Sequence, residues 1–502
     1  MASESDRPTA ATKQQIELDA SSSITSLLLQ HAERTPARTL YREKVDGRWV
    51  DRSAVWTLER VEELGKGLIA SGVQHGDSVA IMARTTLEWT LVDLACWYVG
   101  AVPVPIYESS AAAQAQWIVN DARVTIAFTE SDDNAAVLAE ATELEGGTPT
   151  LREVLSFDSG ALDTIARGTG VEDTEVRERQ AGVTLADLAT IIYTSGTTGR
   201  PKGVELTHEN FAVLAVEAIT NVLNAFTTQE GASTLLFIPL AHVFARFVEV
   251  LMLAGGVPMG HAPDPKEAVA DLAVFRPTVL LSVPRIWEKV YNSAEQKAGT
   301  GIKHRLFQAA SSAAEQYSRA LDTPSGPGAG LRLRYRLLDR LVLSKIRALM
   351  GGRLTYAVSG GAPLGERLGH FYRGVGVTVL EGYGLTETTA PLAVNRPETI
   401  RIGTVGPPMP GTEVRIAEDG EIEVRGLPVF RGYHDNPEAT EEAFTPDGFF
   451  RTGDLGSLDG QHLRITGRKK EIIVTAGGKN VAPALLEDPL RAHPIVSQCV
   501  VV

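Results

Sequence analysis

The stretch IIYTSGTTGRPKG, residues 191–203, packs three glycines, five hydroxyls and one lysine into thirteen residues behind an apolar, strand-like start. Glycines let a backbone take positive φ and approach a ligand closely. Successive N–H groups then converge on an anion. The hydroxyls of Thr194, Ser195, Thr197 and Thr198 add donors, and Lys202 adds a point charge. The spacing excludes a Walker A loop, which needs four residues before its Gly-Lys-Ser/Thr. Here the order is Gly196, Gly199, Pro201, Lys202, Gly203, with no hydroxyl after the lysine. Nor does a helix begin at once: GVELTHEN intervenes, with Thr207 as the expected N-cap. The loop must rely on its own donors rather than on a helix dipole. Taken alone, such a run reads equally well as a structural glycine turn.

Outward from this loop, strand-like and helix-like runs alternate. Before it come LERVEELGKGLIASG, DSVAIMA, LEWTLVDLACWYVG, AVPVPIY, AAAQAQWIVNDA and VTIAFTE; after it come STLLFIPL, FARFVEVLMLAGG, TVLLSVP and RLTYAVSGGAPL. Strand–helix alternation implies crossover connections and a mostly parallel sheet. The predicted fold class is therefore α/β, with parallel-rich sheets sandwiched by helices over residues 21–466. EVRIAEDGEIEVRG alternates with period two around an Asp-Gly turn, which predicts a hairpin and a small β subdomain over about 411–466. Residues 1–20 read as a flexible tail, and the texture changes again near residue 467.

A chain of 502 residues is too long for one core, so several subdomains are expected. A net charge of -14 argues against general nucleic-acid binding, which needs a basic footprint. Two cysteines, Cys96 and Cys499, form no CxxC pair, which suits a reducing cytoplasm. The polar N-terminus lacks the apolar core of a signal peptide, and no apolar run reaches spanning length. One segment departs from the acidic background. LRLRYRLLDRLVLSKIRALMGG, residues 331–352, sets Arg332, Arg334, Arg336, Arg340, Lys345 and Arg347 against Asp339. It reads either as a solvated helix face packed by its leucines or as an amphipathic helix on anionic lipid. Peripheral contact with the inner membrane face thus stays open beside a cytoplasmic location.

Three further stretches change the odds on the glycine loop: LEGYGLTETTAP (380–391), RTGDLG (451–456) and GRKKEIIVTAGGKNVAP (467–483). Together and in this order they resemble the adenylate-forming superfamily of acyl-CoA synthetases, luciferases and peptide-synthetase adenylation domains. PLAHVFAR (239–246), VPRIWEKVY (283–291) and the last stretch are most similar to bacterial long-chain fatty acid–CoA ligases. The resemblance runs from about residue 25 to the end.

It implies two steps: attack of a fatty acid carboxylate on the α-phosphate of ATP, then displacement of AMP by the coenzyme A thiol. The implied co-reactants are ATP, Mg²⁺ and coenzyme A. Thr194, Ser195, Gly196, Thr197, Thr198, Gly199 and Lys202 would hold the β- and γ-phosphates. Tyr383, beside Gly384, would pack on adenine, and Gly360 and Gly361 would line the adenine and acyl entrance. Thr386 would bond a phosphate, and Glu387, with Thr194, would ligate Mg²⁺. Asp454 would accept from the ribose hydroxyls, and Arg468 would reach the ribose or the phosphates. His242 would line the carboxylate end of the acyl pocket, and Lys470 would be the hinge. Each residue has a blander account: core tyrosine, helix-start pair, turn aspartate, structural histidine, surface lysine.

The resemblance also implies a small α+β C-terminal domain from residue 467 onward. Family members carry a catalytic lysine late in it, whereas no lysine follows Lys479 here. The expectation is a truncated C-terminal domain or a lost lysine, with nucleotide binding by the large domain retained. The alternatives to the ligase are a fatty acyl-AMP ligase that skips coenzyme A and a nucleotide-binding form with little turnover. A monomer and an oligomer both stay open.

Overall fold

The computed structural model describes residues 7–166, 170–194, 200–264, 266–471, 473–474, 480–481 and 499–501. A four-stranded, wholly parallel sheet is ordered Val102–Ile106, Ser78–Met82, Ile126–Thr129, Glu153–Ser156. Its first two strands are buried at every position, which is why they read as continuous apolar runs. The intervening helix Leu87–Val99 is capped by Thr86, whose hydroxyl accepts from the Trp89 N–H, and ends on Gly100 at φ 77°. The closing glycine is legible in the sequence.

A second sheet runs Val279–Ser282, Tyr356–Ser359 and Thr378–Tyr383 in parallel, then Ala393–Val394 antiparallel. A third joins Thr234–Leu236, Met259–His261 and Thr39–Val45 in parallel with Arg48–Ser53 antiparallel at the edge. That edge pair turns through Asp46 and Gly47, both at positive φ, as an Asp-Gly hairpin requires. The fold is thus α/β with parallel-rich sheets, as expected, though each of these two sheets is closed by an antiparallel strand.

The small β subdomain is a five-stranded sheet ordered Thr9–Thr12, Thr412–Ile416, Glu421–Gly426, Phe450–Asp459, His462–Arg468. The expected hairpin is present, with Ile416 facing Ile422 across the turn. Two expectations are corrected. Residues 9–12 are no tail but the edge strand of this sheet, paired antiparallel with Thr412–Ile416 and burying Ala10. The short run Thr-Ala-Ala-Thr hides this, because backbone pairing needs no run of large apolar side chains. The segment is further tied down by the Gln15 and Ile16 N–H groups, both donating to Glu217 Oε1. The boundary at 466 also falls inside the strand His462–Arg468, so the change of element lies at the turn Lys469–Glu471. The C-terminal domain expected beyond it lies mostly outside the described residues.

Candidate active site

The glycine loop closes a hairpin. Strand Leu188–Thr194 pairs antiparallel with Lys202–Thr207, so Thr194 and Lys202 face each other as the last cross-strand pair. Ser195, Gly196, Thr197, Thr198 and Gly199 lie outside the described residues. Helix His208–Glu217 follows only after that strand, capped by Thr207 in a reciprocal box with Asn210. Gly203 has no room for a side chain: a Cβ would sit 2.7 Å from Ile191. Trp117 braces the near side of the hairpin, its indole N–H donating to the Pro201 carbonyl at 2.9 Å.

The carboxyl ends of the second sheet point at this hairpin, where ligands bind in open α/β sheets. Tyr356–Ser359 leads into Gly360 and Gly361, the latter at φ 80°. Thr378–Tyr383 leads into Gly384 and the short turn Thr386–Thr388. After that turn Thr389 and Ala390 both take positive φ, at 52° and 73°. Adjacent non-glycine residues in this region store strain, which collects at functional sites. Ala390 in turn forbids any side chain at Gly384, where a Cβ would fall 1.3 Å from the Ala390 carbonyl oxygen.

These edges enclose one cavity of about 670 Å³. Thr194, Lys202, His242, Gly360, Gly361, Tyr383, Gly384, Thr386, Glu387, Arg468 and Lys470 all line it. Asp454 sits just behind, buried, with both carboxylate oxygens engaged. The Tyr383 hydroxyl donates to Oδ2 at 2.6 Å, and Arg468 Nε donates to Oδ1 at 3.0 Å. A carboxylate offers about four lone-pair sites, so Asp454 retains capacity for a diol. Burial, reinforced by Asp454, holds the Tyr383 phenol well above its usual value and keeps it a donor.

Glu387 accepts a hydrogen bond from Tyr433 at 2.9 Å, and the Lys202 ammonium lies over the Tyr433 ring at 4.9 Å. One tyrosine thus places the loop's lysine beside the turn's glutamate. Tyr433 escaped the sequence reading because it stands alone in GYHDNPE, and pairing of Gly432–Tyr433 with Lys202–Thr207 is what brings it here. Tyr107, Phe244, Phe247 and Thr452 also line the cavity and were not singled out, although Phe244 lies within PLAHVFAR and Thr452 within RTGDLG.

His242 caps the helix Val243–Gly255, its Nδ1 accepting from the Phe244 N–H at 3.1 Å. It is surrounded by protein yet reached by solvent at the cavity mouth, and this crowding pushes its pKa below the usual histidine value. With Nδ1 used as acceptor, the neutral ring carries its proton on Nε2. The same helix contributes Phe244, Phe247 and Leu251 to the cavity, and Ala218, Leu223, Leu281 and Val358 add further apolar lining. On its far side Arg246 and Asp93 form a fully buried ion pair at 2.8 Å. Lys470 follows Lys469, whose ammonium is held by Asp419 and Glu421 at 2.6 and 2.8 Å and pushed up to about 12 by those hydrogen bonds.

No group of three or more His, Cys, Asp or Glu suited to a metal occurs among the described residues. A single carboxylate beside hydroxyls and a lysine fits a magnesium ion held mainly by substrate phosphates rather than by a protein cage.

The profile of AMP-binding enzymes matches residues 28–434. The chain belongs to the AMP-binding enzyme family. The long-chain-fatty-acid–CoA ligase FadD15 of Mycobacterium bovis is 48% identical over 486 residues, covering 95% of this chain and 80% of the relative. Human long-chain-fatty-acid–CoA ligase 1 is 31% identical, covering 89% of this chain and 66% of the relative. Among solved structures, ATP-bound MatB from Rhodopseudomonas palustris superposes with TM-score 0.70 at 26% identity, over 94% of this chain and 84% of that one. A fatty acyl CoA synthetase from Mycobacterium tuberculosis superposes with TM-score 0.69 at 24% identity, over 96% of this chain and 85% of that one, and shares the fold. No helix among the described residues is long and apolar enough to cross a membrane.

Proposed function

We propose that this AMP-binding enzyme is a long-chain fatty acid–CoA ligase, and that its cavity joins the acid to ATP before handing the acyl group to coenzyme A. The observation that carries this reading is one cavity with two chemistries. Lys202, Thr194, Thr386 and Glu387 line it together with Phe244, Phe247 and Leu251 of helix Val243–Gly255. Similarity to long-chain-fatty-acid–CoA ligases over nearly the whole chain supports the same class.

In the first step a carboxylate oxygen forms a bond to the α-phosphorus, the bond to the β-phosphate oxygen breaks, and pyrophosphate leaves. The difficulty is an anion attacking a polyanion, so donors fixed in advance supply most of the assistance. Lys202 and Thr194, with the rest of the loop, are assigned to the β- and γ-phosphates. Tyr383, Gly360, Gly361 and Gly384 are assigned to the adenine. Asp454 receives the ribose hydroxyls, and Arg468 bridges ribose and phosphate. Glu387, with Thr194, would hold Mg²⁺, which supplies charge neutralisation at the phosphates when bound. His242, carrying its proton on Nε2, donates toward the acyl carboxylate. In the second step the thiol sulfur forms a bond to the acyl carbon, AMP departs, and the thiol proton passes to solvent. Lys470 is assigned to the hinge between the steps. Two cysteines with no CxxC pair suit a cytoplasmic enzyme.

The test supplies the protein with ATP, Mg²⁺ and fatty acids of increasing length, with and without coenzyme A, and follows pyrophosphate, acyl-AMP and acyl-CoA by mass spectrometry. Acyl-CoA formed from long chains in preference to short or aromatic acids is the expected result. Acyl-AMP that accumulates regardless of coenzyme A would instead identify a fatty acyl-AMP ligase. An acyl-adenylate mimic that fails to bind would sink both readings.

A further inference from the structure

We propose that helix Ala329–Leu338, with its continuation through Leu349, docks on an anionic lipid surface through Leu333, Leu337 and Leu341 and the basic side chains around them. The segment's leucines divide into two sets. Leu338 and Leu343 are buried with Ile346 and Met350, whereas Leu333, Leu337 and Leu341 are 73%, 61% and 43% exposed. A spacing of four places these three in a row on one helix face. The π turn Asp339–Leu343 accounts for the buried set: its extra residue lets Leu338 and Leu343, five apart, both reach the core. Core packing therefore explains the buried leucines and leaves the exposed row unexplained.

The helix is held by its other side. The Tyr335 ring stacks on Tyr317 with centroids 4.0 Å apart, and its hydroxyl donates to the Gly374 carbonyl at 2.9 Å. Arg347 neutralises Asp339 through two hydrogen bonds of 2.6 and 3.1 Å. Arg332, Arg334, Arg336, Arg340 and Lys345 stay exposed, and none enters an ion pair recorded among the described residues. Five positive charges thus surround three exposed leucines on a protein whose net charge is -14.

Charge selects the occupant. A symmetric dimer through this row would set each copy's cationic cluster close to the other's. A nucleic acid would satisfy the arginines but not the leucines. An anionic bilayer surface takes both, with leucines entering the headgroup boundary and cations meeting acidic lipids. The proposal stands on this surface alone and does not depend on the acyl substrate.

The experiment co-sediments the protein with vesicles of phosphatidylcholine alone and of equal parts phosphatidylcholine and phosphatidylglycerol, at low and high salt. Two variants accompany it: a triple Leu333→Ser, Leu337→Ser, Leu341→Ser change and a double Arg336→Glu, Arg340→Glu change. All five positions are exposed, so thermal midpoint and ATP binding are expected to hold. Each basic residue near an anionic leaflet raises partitioning roughly fivefold. Binding is expected to need phosphatidylglycerol, to weaken with salt, and to fall at least roughly tenfold in each variant. Equal sedimentation with both vesicle types, or anionic binding untouched in both variants, would overturn the proposal. So would a concentration-dependent dimer that the serine variant abolishes without any vesicle binding, since that gives the row to a second copy.

Discussion

Tyr433 joins the loop's cation to the turn's carboxylate, so its hydroxyl can be removed while the ring under Lys202 stays. Tyr433→Phe is expected to lower kcat/KM for ATP roughly tenfold, the loss of one hydrogen bond to a charged group at about 1.5 kcal/mol. Steady-state pyrophosphate release measures it, and an unchanged value would mean that Glu387 needs no such support. Asp454 carries a heavier load, since Tyr383, Arg468 and the assigned ribose all converge on it. Asp454→Asn is expected to weaken ATP binding roughly 10- to 100-fold, about 1.5–3 kcal/mol, read by titration calorimetry. Gly384→Ala is a test of sterics rather than of charge. With the Ala390 carbonyl where the new Cβ must go, the backbone has to move. A loss of about 3 kcal/mol or more in denaturant unfolding is expected, and a wild-type midpoint would contradict the close approach.

Helix Val243–Gly255 shows how one element serves both core and site. Phe244 and Phe247 face the cavity, while Arg246 and Glu249 are buried on the other side with Asp93. Burial raises the Asp93 carboxyl above the usual range, and Arg246 opposes that rise. Burial also raises Glu249, the Asp93 charge adds to it, and Thr90 and Arg246 resist. A carboxyl whose folded pKa lies above its unfolded value of 4.5 stabilises the fold at low pH. That contribution is lost as pH rises from there through the folded pKa. Glu249→Gln is therefore expected to flatten stability against pH above about 4.5 relative to wild type, as read by urea unfolding across pH. Parallel curves for the two proteins would show that Glu249 is charged in the fold. Arg246→Met leaves Asp93 buried without its partner, and a loss of about 3–5 kcal/mol is expected in the same measurement.

At the scale of the whole molecule, the hairpin of Leu188–Thr194 and Lys202–Thr207, the second sheet and the β subdomain each supply one wall of a single cavity. A ligand that touches all three should tighten the whole. At a hundredfold excess over Kd, a non-hydrolysable acyl-adenylate mimic is expected to add about 2.7 kcal/mol, seen as a rise in Tm. Asp454→Asn should reduce that rise at fixed concentration. The strand Thr9–Thr12 completes the β subdomain at the edge formed by Thr412–Ile416, a pairing between segments far apart in sequence.

The sequence alone was enough for the local grammar. Strand–helix alternation, the Asp-Gly hairpin of the β subdomain, Thr207 and Gly100 as caps, and the glycine loop's departure from Walker A spacing all depend on neighbours a few residues away. The order of motifs was enough for the family. Tertiary structure decided the rest. Only packing shows that Tyr433 meets Glu387, that residues 9–12 form an edge strand, and that Leu338 and Leu343 turn inward while Leu333, Leu337 and Leu341 do not. The reason is physical. Propensity and periodicity act along the chain, whereas hydrogen bonds between strands far apart in sequence, and the choice of which apolar face is buried, depend on partners that the folded chain alone brings together.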